Sequence, residues 1–155
     1  SIEPITQQNI RLVKLRTGIV LSTKGGALKE FLNPIKMGIT AILGNGKQII
    51  SWIHIDDLCN QFIYAIEHEN MQGSYNAVAP NPVNNRRLTL SIAKKVKGKF
   101  YIPIYVPSFM LKIILGEMAV IVLQGSRVSA EKLVKQGFTF KYKEIDSALK
   151  DLCSR

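Results

Sequence analysis

The chain has 155 residues, 46% of them hydrophobic and 21% charged, which suits one globular domain or half of a larger one. Its 21 basic and 11 acidic residues give a formal net charge of +10, a balance that can attract nucleic acid, anionic lipid or phosphorylated small molecules. Because the lysines are scattered and no aromatic residues are interleaved with them, we favour a simpler explanation. The positive charge would be a bias of this half of a larger protein, offset by an acidic partner half.

Neither the cysteines nor the apolar segments indicate a disulfide framework, a zinc site or a membrane span. Cys59 and Cys153 lie far apart and lack a zinc-binding spacing, so free thiols in a reducing compartment are expected. The most apolar run, residues 109–123, contains Lys112 and Glu117 and is too short to cross a bilayer. With no secretory signal, the sequence predicts a cytoplasmic protein, and it shows no metal-binding constellation.

The first elements predicted are a strand and a broken helix. Residues 10–16 and 19–21 are apolar and β-branched, which is typical of a buried strand. A Gly-Gly pair then precedes apolar residues at helical spacing, so a helix is expected from Ala27. Pro34 is expected to interrupt it, with a second short helix ending at Gly38.

Residues 44–58 are the segment around which the other elements are arranged. The Asn-Gly pair at its start, between two apolar runs, predicts a tight turn and a hairpin. The extended stretch that follows alternates, which puts Trp52 and His54 on one face. Asp56 or Asp57 is expected to cap the next helix.

The rest of the chain alternates between predicted helices, strands and loops. The helix after the central segment has an apolar stripe formed by Leu58, Phe62, Ala65 and Ile66. The later elements are a core strand at 74–78, a loop at 79–87, a helix at 88–96, an edge strand with Pro103 at 100–106, one or two helices over 107–123 broken near Gly116, a short helix over 129–136 closed by Gly137, and an amphipathic helix over 145–152. Two core strands cannot shield a parallel sheet, so further strands are expected to come from elsewhere.

Six segments, in this order, carry a family resemblance. They are Leu15–Leu21, Gly25–Ala27, Ser51–Leu58, Asn76–Val83, Leu115–Ala119 and Gly137–Phe140. Together they resemble the second half of an extended short-chain dehydrogenase/reductase of the NAD-dependent epimerase/dehydratase kind. Within that superfamily they are most similar to the epimerase family proteins that carry a further C-terminal domain of unknown function.

The resemblance implies an α/β fold, the C-terminal portion of a Rossmann-type extended short-chain dehydrogenase/reductase. The last core strands would join a mixed α/β substrate-binding subdomain. Residues 1–24 and 56–80 would belong to the nucleotide-binding domain, and residues 25–55 and 81–155 to the substrate-binding subdomain. The domain of unknown function would occupy about 104–152.

Two motifs of that family do not occur in the sequence. A nucleotide-binding half needs a Gly-rich turn whose backbone N–H groups approach the pyrophosphate, and no Gly-x-Gly-x-x-Gly is present. None of the five tyrosines is followed four residues later by lysine, so the catalytic Tyr-x-x-x-Lys pair is missing as well. The resemblance implies that both lie upstream of Ser1. We therefore expect a fragment that contains no catalytic residue and is inactive alone.

Four residues near the end of the first core strand are candidates for cofactor contact. By resemblance, Arg16, Thr17, Gly18 and Val20 belong to the segment that passes the nicotinamide end of NAD or NADP. Ligands bind beyond the carboxyl ends of strands in open α/β sheets, and an arginine there can hold a phosphate through two hydrogen bonds. The alternative for Arg16 is a structural ion pair, while Thr17 and Gly18 would offer only backbone contacts.

The candidates for substrate contact are Gly25, Gly26, Trp52, His54, Asn81 and Asn84. The glycines open a helix whose free N–H groups attract anions, and asparagine amides can both donate to and accept from sugar or nucleotide hydroxyls. Each candidate has a structural alternative: a flexible turn for the glycines, packing for Trp52, a satisfied hydrogen-bonding role for His54 and turn chemistry for the asparagines. For Trp52 and His54 the residues themselves favour the structural role.

The sequence thus predicts the substrate-side half of an NAD(P)-dependent nucleotide-sugar epimerase, dehydratase or reductase. Its expected partners are a small-molecule substrate such as a nucleotide sugar and, through an exposed sheet edge, a second copy in a homodimer. Two alternatives stay open: a basic module that binds nucleic acid or protein, and a cofactor-binding pseudo-enzyme. Arg86-Arg87 and Lys94-Lys95 are expected to be solvated faces, which makes nucleic acid the less favoured partner.

Overall fold

Short strands alternate with helices along the chain in the computed structural model, which describes residues 10–115 and 123–154. The first elements are β1 (Val13–Thr17), β2 (Ile19–Ser22), β3 (Gly25–Gly26), α1 (Ala27–Lys36), β4 (Ile39–Leu43), β5 (Ile49–Ile50), β6 (Trp52–His54) and α2 (Ile55–Glu67). The later ones are β7 (Gly73–Ala77), β8 (Val83–Asn84), α3 (Asn85–Lys97), β9 (Ile102–Val106), α4 (Ser108–Leu115), α5 (Glu131–Lys135) and α6 (Ile145–Ser154). The predicted α/β class is confirmed.

The first predicted strand is in fact two strands, because the chain changes partner at Gly18. β1 pairs in parallel with β7, whereas β2 pairs in parallel with β6 and antiparallel with β3. The backbone N–H of Gly18 donates to the carbonyl oxygen of Ala77 (3.1 Å), and that of Ile19 donates to the carbonyl oxygen of Ser51 (2.9 Å). One residue therefore joins the two parallel pairs.

The predicted turn at the Asn-Gly pair is present, but the predicted hairpin is wrong. Gly44 and Gly46 have φ angles of +56° and +70°, in the left-handed region that favours glycine. The strands on either side take different partners, since β4 pairs in parallel with β9 and β5 pairs antiparallel with β8. Distant segments, which a local turn signal does not reveal, decide this pairing.

Pro34 lies inside α1 and does not break it, contrary to the sequence-based expectation. Proline removes one N–H donor from a helix, and this loss matters less when the helix ends two residues later. The end is closed by the N–H of Met37, which donates to Pro34 O (3.1 Å), and by the N–H of Gly38, which donates to Ile35 O (2.9 Å). The second short helix predicted here is therefore the last turn of α1.

Helix α2 buries Leu58 and Ala65 of its predicted apolar stripe but not Phe62 and Ile66. Its buried residues are Asp57, Leu58, Gln61 and Ala65. Phe62 and Ile66, expected in the core, are 50% and 73% exposed, and Ile63 beside them is 51% exposed. We call Phe62, Ile63 and Ile66 the outer stripe of α2.

Two hydrophobic clusters form the core, and β6 contributes to both. Trp52 belongs to the first cluster together with residues of α1, α3 and α6. Ile53 belongs to the second, together with residues of β7, α2 and α5. Successive side chains of a strand point to opposite faces, so this short strand lies between the clusters.

Most of the later predictions are confirmed. Helix α3 begins at Asn85, so the predicted loop is shorter than expected and contains β8. The N–H of Ile102 donates to Gly38 O (2.9 Å); by alternation the nitrogen of Pro103 faces away from β4, as suits an edge strand. The predicted helix break near Gly116 lies outside the described residues. Among the helices that are described, none has the length and apolarity needed to span a membrane.

Candidate functional site

The carboxyl ends of β1 and β7 meet at the Gly18 junction, where the sequence analysis placed the cofactor candidates. Arg16 and Thr17 end β1, and both are exposed. The Arg16 guanidinium makes no hydrogen bond or ion pair within the part of the chain that the structure describes. It is therefore available to an anion, and the structural ion pair considered for it is not formed with these residues.

Gly18 and Val20 have clear packing roles at the junction. A Cβ atom on Gly18 would lie 2.3 Å from the carbonyl oxygen of Ser51 and 2.7 Å from Cγ1 of Val78, so a side chain does not fit. Val20 is half-buried against the second hydrophobic cluster. These contacts explain both residue types without a ligand, and cofactor contact by either residue stays a prediction.

Gly25 and Gly26 form the turn into α1, with φ angles of +149° and +74°. Gly26 is the N-cap of α1 and makes no side-chain capping bond, so the first N–H groups of this helix lack that partner. A Cβ atom added to Gly25 would meet nothing within 4 Å. The position is thus open enough for a ligand, and it equally fits the flexible turn that the sequence allowed.

Trp52 and Asn81 are brought together by a hydrogen bond. The Trp52 side chain is completely buried, and its indole Nε1 donates to the carbonyl oxygen of Asn81 (3.0 Å). The side-chain amide of Asn81 donates in turn to Oε1 of Glu144. Asn84 caps α3, because its Oδ1 accepts the backbone N–H of Arg87 (2.7 Å). All three candidates thus have structural partners, and their contact with a substrate stays a prediction.

His54, rather than Asp56 or Asp57, is the N-cap of α2, so the predicted acidic cap is wrong. Its ring Nδ1 accepts the backbone N–H of Asp56 (3.0 Å), and its Nε2 lies 3.3 Å from Oδ2 of Asp151 in α6. The ring is fully buried and stacks on Tyr142 with centroids 3.8 Å apart. His54 therefore ties the start of α2 to the C-terminal helix.

Burial lowers the pKa of His54 below its ordinary value, and the neighbouring carboxylates of Asp56, Asp151 and Asp57 oppose this in part. With Nδ1 accepting an amide hydrogen, a neutral ring carries its proton on Nε2, facing Asp151. His54, Asp56 and Asp151 also have the spacing of a metal-binding group, since one ligand atom from each lies within 4.8 Å of the others. Nδ1 already accepts a backbone hydrogen, however, and Nε2 faces the Asp151 carboxylate, which favours a structural role for the ring.

The buried imidazole predicts an acid-sensitive fold. An unfolded histidine binds its proton near pH 6.5, whereas folded His54 binds one only at lower pH. Between these two values the unfolded state holds more protons, so the free energy of unfolding should decrease as the pH falls below 6.5. Urea denaturation at a series of pH values between 7.5 and 5 (roughly the range in which histidine titrates) measures this slope.

The matched variants for that measurement are His54→Asn and His68→Asn. Asparagine is a good N-cap but does not titrate, so His54→Asn should flatten the pH dependence while keeping α2 capped. The slope should persist in His68→Asn. An unchanged slope in His54→Asn would contradict the assignment to His54.

Asp57 and Ser51 have tertiary roles that the sequence analysis missed. The buried carboxylate of Asp57 accepts the backbone N–H groups of Lys141 (2.8 Å) and Tyr142 (2.9 Å). The Ser51 hydroxyl donates to Ser126 O (2.6 Å) and accepts the N–H of Val128 (2.9 Å). Both side chains fix the C-terminal third of the chain to the central segment. Partners this distant leave no local sequence signal.

Comparison with known proteins shows what this chain is similar to. Residues 106–152 match the family described as a domain of unknown function, DUF1731. The epimerase family protein YfhF of Bacillus subtilis is 35% identical over 148 residues, which are 96% of this chain and 48% of that protein. The mouse epimerase family protein SDR39U1 is 33% identical over 94% of this chain and 49% of its own length. The chain thus spans about half the length of these relatives.

Solved structures give the same correspondence. The human epimerase family protein SDR39U1, crystallised with NADPH, superimposes with a TM-score of 0.86 at 30% identity over 93% of this chain and 48% of that one. A UDP-glucose 4-epimerase from Thermotoga maritima shares the fold, with a TM-score of 0.75 at 18% identity over 99% of this chain and 48% of its own. By sequence and by fold, the chain therefore corresponds to the C-terminal half of the epimerase family proteins.

Proposed function

We propose that this chain supplies the substrate-side half of an NAD(P)-dependent epimerase, dehydratase or reductase that acts on a nucleotide sugar. In this proposal residues 1–24 and 56–80 complete a nucleotide-binding domain, and residues 25–55 and 81–155 form the substrate-binding part. The NADPH in the human relative's structure supports the cofactor class. A nucleoside-diphosphate sugar epimerase of Corynebacterium glutamicum, 28% identical with a TM-score of 0.74 over 97% of this chain and 28% of its own, supports the substrate class.

The observation that carries the proposal is an uncovered face beside the parallel strands. The outer stripe of α2 leaves Phe62, Ile63 and Ile66 half to three-quarters exposed. Among the described strands, β1 pairs only with β7, which leaves one edge open. Parallel sheets are normally larger than two strands and covered on both faces. The relatives have a second half that this chain does not match. An α/β half of that kind would cover both the outer stripe of α2 and the open edge of β1.

The exposed cofactor candidates fit a supporting role in such an assembly. Arg16 and Thr17 lie at the carboxyl end of β1, where ligands of open α/β sheets bind, and the Arg16 guanidinium is available for a phosphate. A bound nicotinamide would supply hydride transfer. The Gly-rich turn and the Tyr-x-x-x-Lys pair, absent from these 155 residues, would come from the other half. The two unpaired cysteines agree with the reducing, cytoplasmic compartment included in this proposal.

Complex formation with a nucleotide-binding half tests the proposal. We expect this chain, co-expressed with the part of the Bacillus subtilis relative that it does not match, to form a one-to-one complex in analytical ultracentrifugation. Phe62→Asp and Ile66→Asp should each weaken the complex, because a carboxylate would have to be desolvated at the interface.

Met37→Asp and Phe100→Asp are the matched controls, since their side chains are 81% and 86% exposed outside the outer stripe of α2. Complex formation should be unchanged in both. Absence of a complex between two folded halves would contradict the proposal. So would a stable homodimer of this chain alone that Phe62→Asp dissociates, because the outer stripe would then serve a second copy.

A further inference from the structure

The outer face of α3 and the residue that precedes β9, Tyr101, line an open basic cleft of about 350 Å³. Its wall is formed by Asn84, Arg86, Arg87, Leu90, Ser91, Lys94 and Tyr101. The volume is at the lower end of the range of small-molecule sites, roughly 300–1,000 Å³. The wall contains three cationic side chains and no carboxylate. Part of the surface around Arg86-Arg87 and Lys94-Lys95, which the sequence predicted to be a solvated face, is therefore concave.

The polar groups of the cleft form a set of hydrogen-bond donors. Arginine and lysine side chains can only donate, and the serine and tyrosine hydroxyls are able to donate. The Oδ1 of Asn84 already accepts the N–H of Arg87, which leaves its NH₂ group as the remaining polar end. A wall of this kind suits a ligand with many acceptor oxygens, such as a phosphate ester.

Little nearby negative charge compensates these cations. Arg87 pairs with Asp146 across 3.7 Å, but the two side chains are 56% and 62% exposed, and such pairs contribute little. Arg86 and Lys94 have no ion pair within the described ranges. No acidic residue lies in the first turn of α3, so the positive end of the helix dipole adds to the local potential.

The wall is also held in place by the fold. Tyr101 is partly buried and packs against the first hydrophobic cluster. The backbone N–H of Arg86 donates to the carbonyl oxygen of Gly46 (3.0 Å), which fixes the start of α3 against the turn at Gly44 and Gly46. The backbone of the wall is therefore fixed before a ligand binds, and only the exposed cationic side chains need to be ordered.

We propose that this cleft binds a small anion carrying two phosphate groups, either free pyrophosphate or the diphosphate of a nucleotide. Arg86 and Lys94 would hold the phosphate oxygens, and the Tyr101 ring would offer a stacking surface to a base. The wall consists entirely of residues of this chain, so the proposal is independent of the proposed function and of any partner half.

Isothermal titration calorimetry of the full chain with pyrophosphate and with ADP, at low salt, tests the site. We expect saturable one-to-one binding of both. Arg86→Gln and Lys94→Gln should each weaken it by about tenfold, the usual loss for one hydrogen bond to a charged group. Tyr101→Leu should weaken ADP binding more than pyrophosphate binding if a base stacks there. Equal losses for the two ligands would show that no base stacks on Tyr101 and that the cleft recognises the diphosphate alone, as in free pyrophosphate.

Lys29→Gln removes the same charge from an exposed position on α1, outside the cleft, and should leave both affinities unchanged. An equal loss in Lys29→Gln would overturn the proposal, since general charge would then explain the binding. Failure to saturate with either anion would also overturn it. So would tighter binding of a single-stranded oligonucleotide that all three charge variants weaken equally, because this would indicate diffuse attraction to nucleic acid.

Discussion

Replacing Gly18 by alanine is expected to lower the free energy of unfolding by about 3 kcal/mol, because the added methyl group overfills a packed junction. Its carbon would lie 2.3 Å from the Ser51 carbonyl oxygen and 2.7 Å from Val78 Cγ1, much closer than van der Waals contact. The oxygen belongs to the backbone and accepts the N–H of Ile19, so relief requires β2 and β6 to separate. Thermal denaturation should show a midpoint lower by roughly 6–12 °C.

Gly38→Ala separates this clash from the general effect of replacing glycine. Gly38 has a φ of +84°, and a Cβ atom there would meet nothing within 4 Å. This variant should lose only about 1 kcal/mol, from the left-handed backbone conformation. If Gly18→Ala is no less stable than Gly38→Ala, the two parallel strand pairs are not packed at Gly18 as described.

Replacing Asp57 by asparagine is expected to cost about 3 kcal/mol, since the change leaves a buried N–H donor without an acceptor. The two carboxylate oxygens of Asp57 accept the N–H groups of Lys141 and Tyr142, and the side chain is completely buried. An asparagine oxygen can accept one of these hydrogens, but its NH₂ group would face the other. The midpoint of urea denaturation should decrease accordingly.

Asp146→Asn provides the comparison for Asp57→Asn. Asp146 is 62% exposed and its ion pair with Arg87 is long, so a loss of at most about 1 kcal/mol is expected. Amide hydrogen exchange measures the local effect, because the backbone N–H groups of Lys141 and Tyr142 should lose protection in Asp57→Asn. Equal stability of the two variants would show that Asp57 does not hold the C-terminal segment.

Local patterns predicted the elements whose stability is local. The apolar spacing of α6 places Ile145, Ala148, Leu149 and Leu152 in the core, and all four are buried. Gly137, at φ +97°, follows α5 as the sequence predicts. In such segments helical spacing and a terminating glycine are sufficient, because neither depends on the identity of distant partners.

Features that depend on distant partners could not be predicted from local sequence patterns. The apolar run through Gly18 looks like one strand, and only Ala77 and Ser51 divide it into two. Asp57 has the position of a helix cap, but its hydrogen-bond partners are 84 and 85 residues away. Phe62 and Ile66 on α2 were predicted as core because they are apolar, yet within the described chain they are 50% and 73% exposed.

The position of the cofactor candidates in the fold was predictable, whereas the contacts of the candidate residues were not. The carboxyl end of β1 was identified, with Arg16 exposed there. Trp52 and His54 were expected to be structural from their residue types, and the structure gives both of them buried hydrogen-bonding positions. The basic cleft along α3 was not foreseen, because Arg86 and Arg87, eight and seven residues before Lys94, share its wall only once the helix forms and Tyr101 packs beside it.

Titration with NADPH, followed by the cofactor's fluorescence, tests most directly whether this chain is one half of a cofactor-dependent site. We predict no saturable change in nicotinamide fluorescence with the chain alone, because a diphosphate held in the basic cleft would leave the nicotinamide in water. A saturable change should appear once the nucleotide-binding half of a relative is added, with an affinity that Arg16→Gln reduces and Lys24→Gln does not. A saturable change in nicotinamide fluorescence, or turnover, with the 155 residues alone would contradict this prediction.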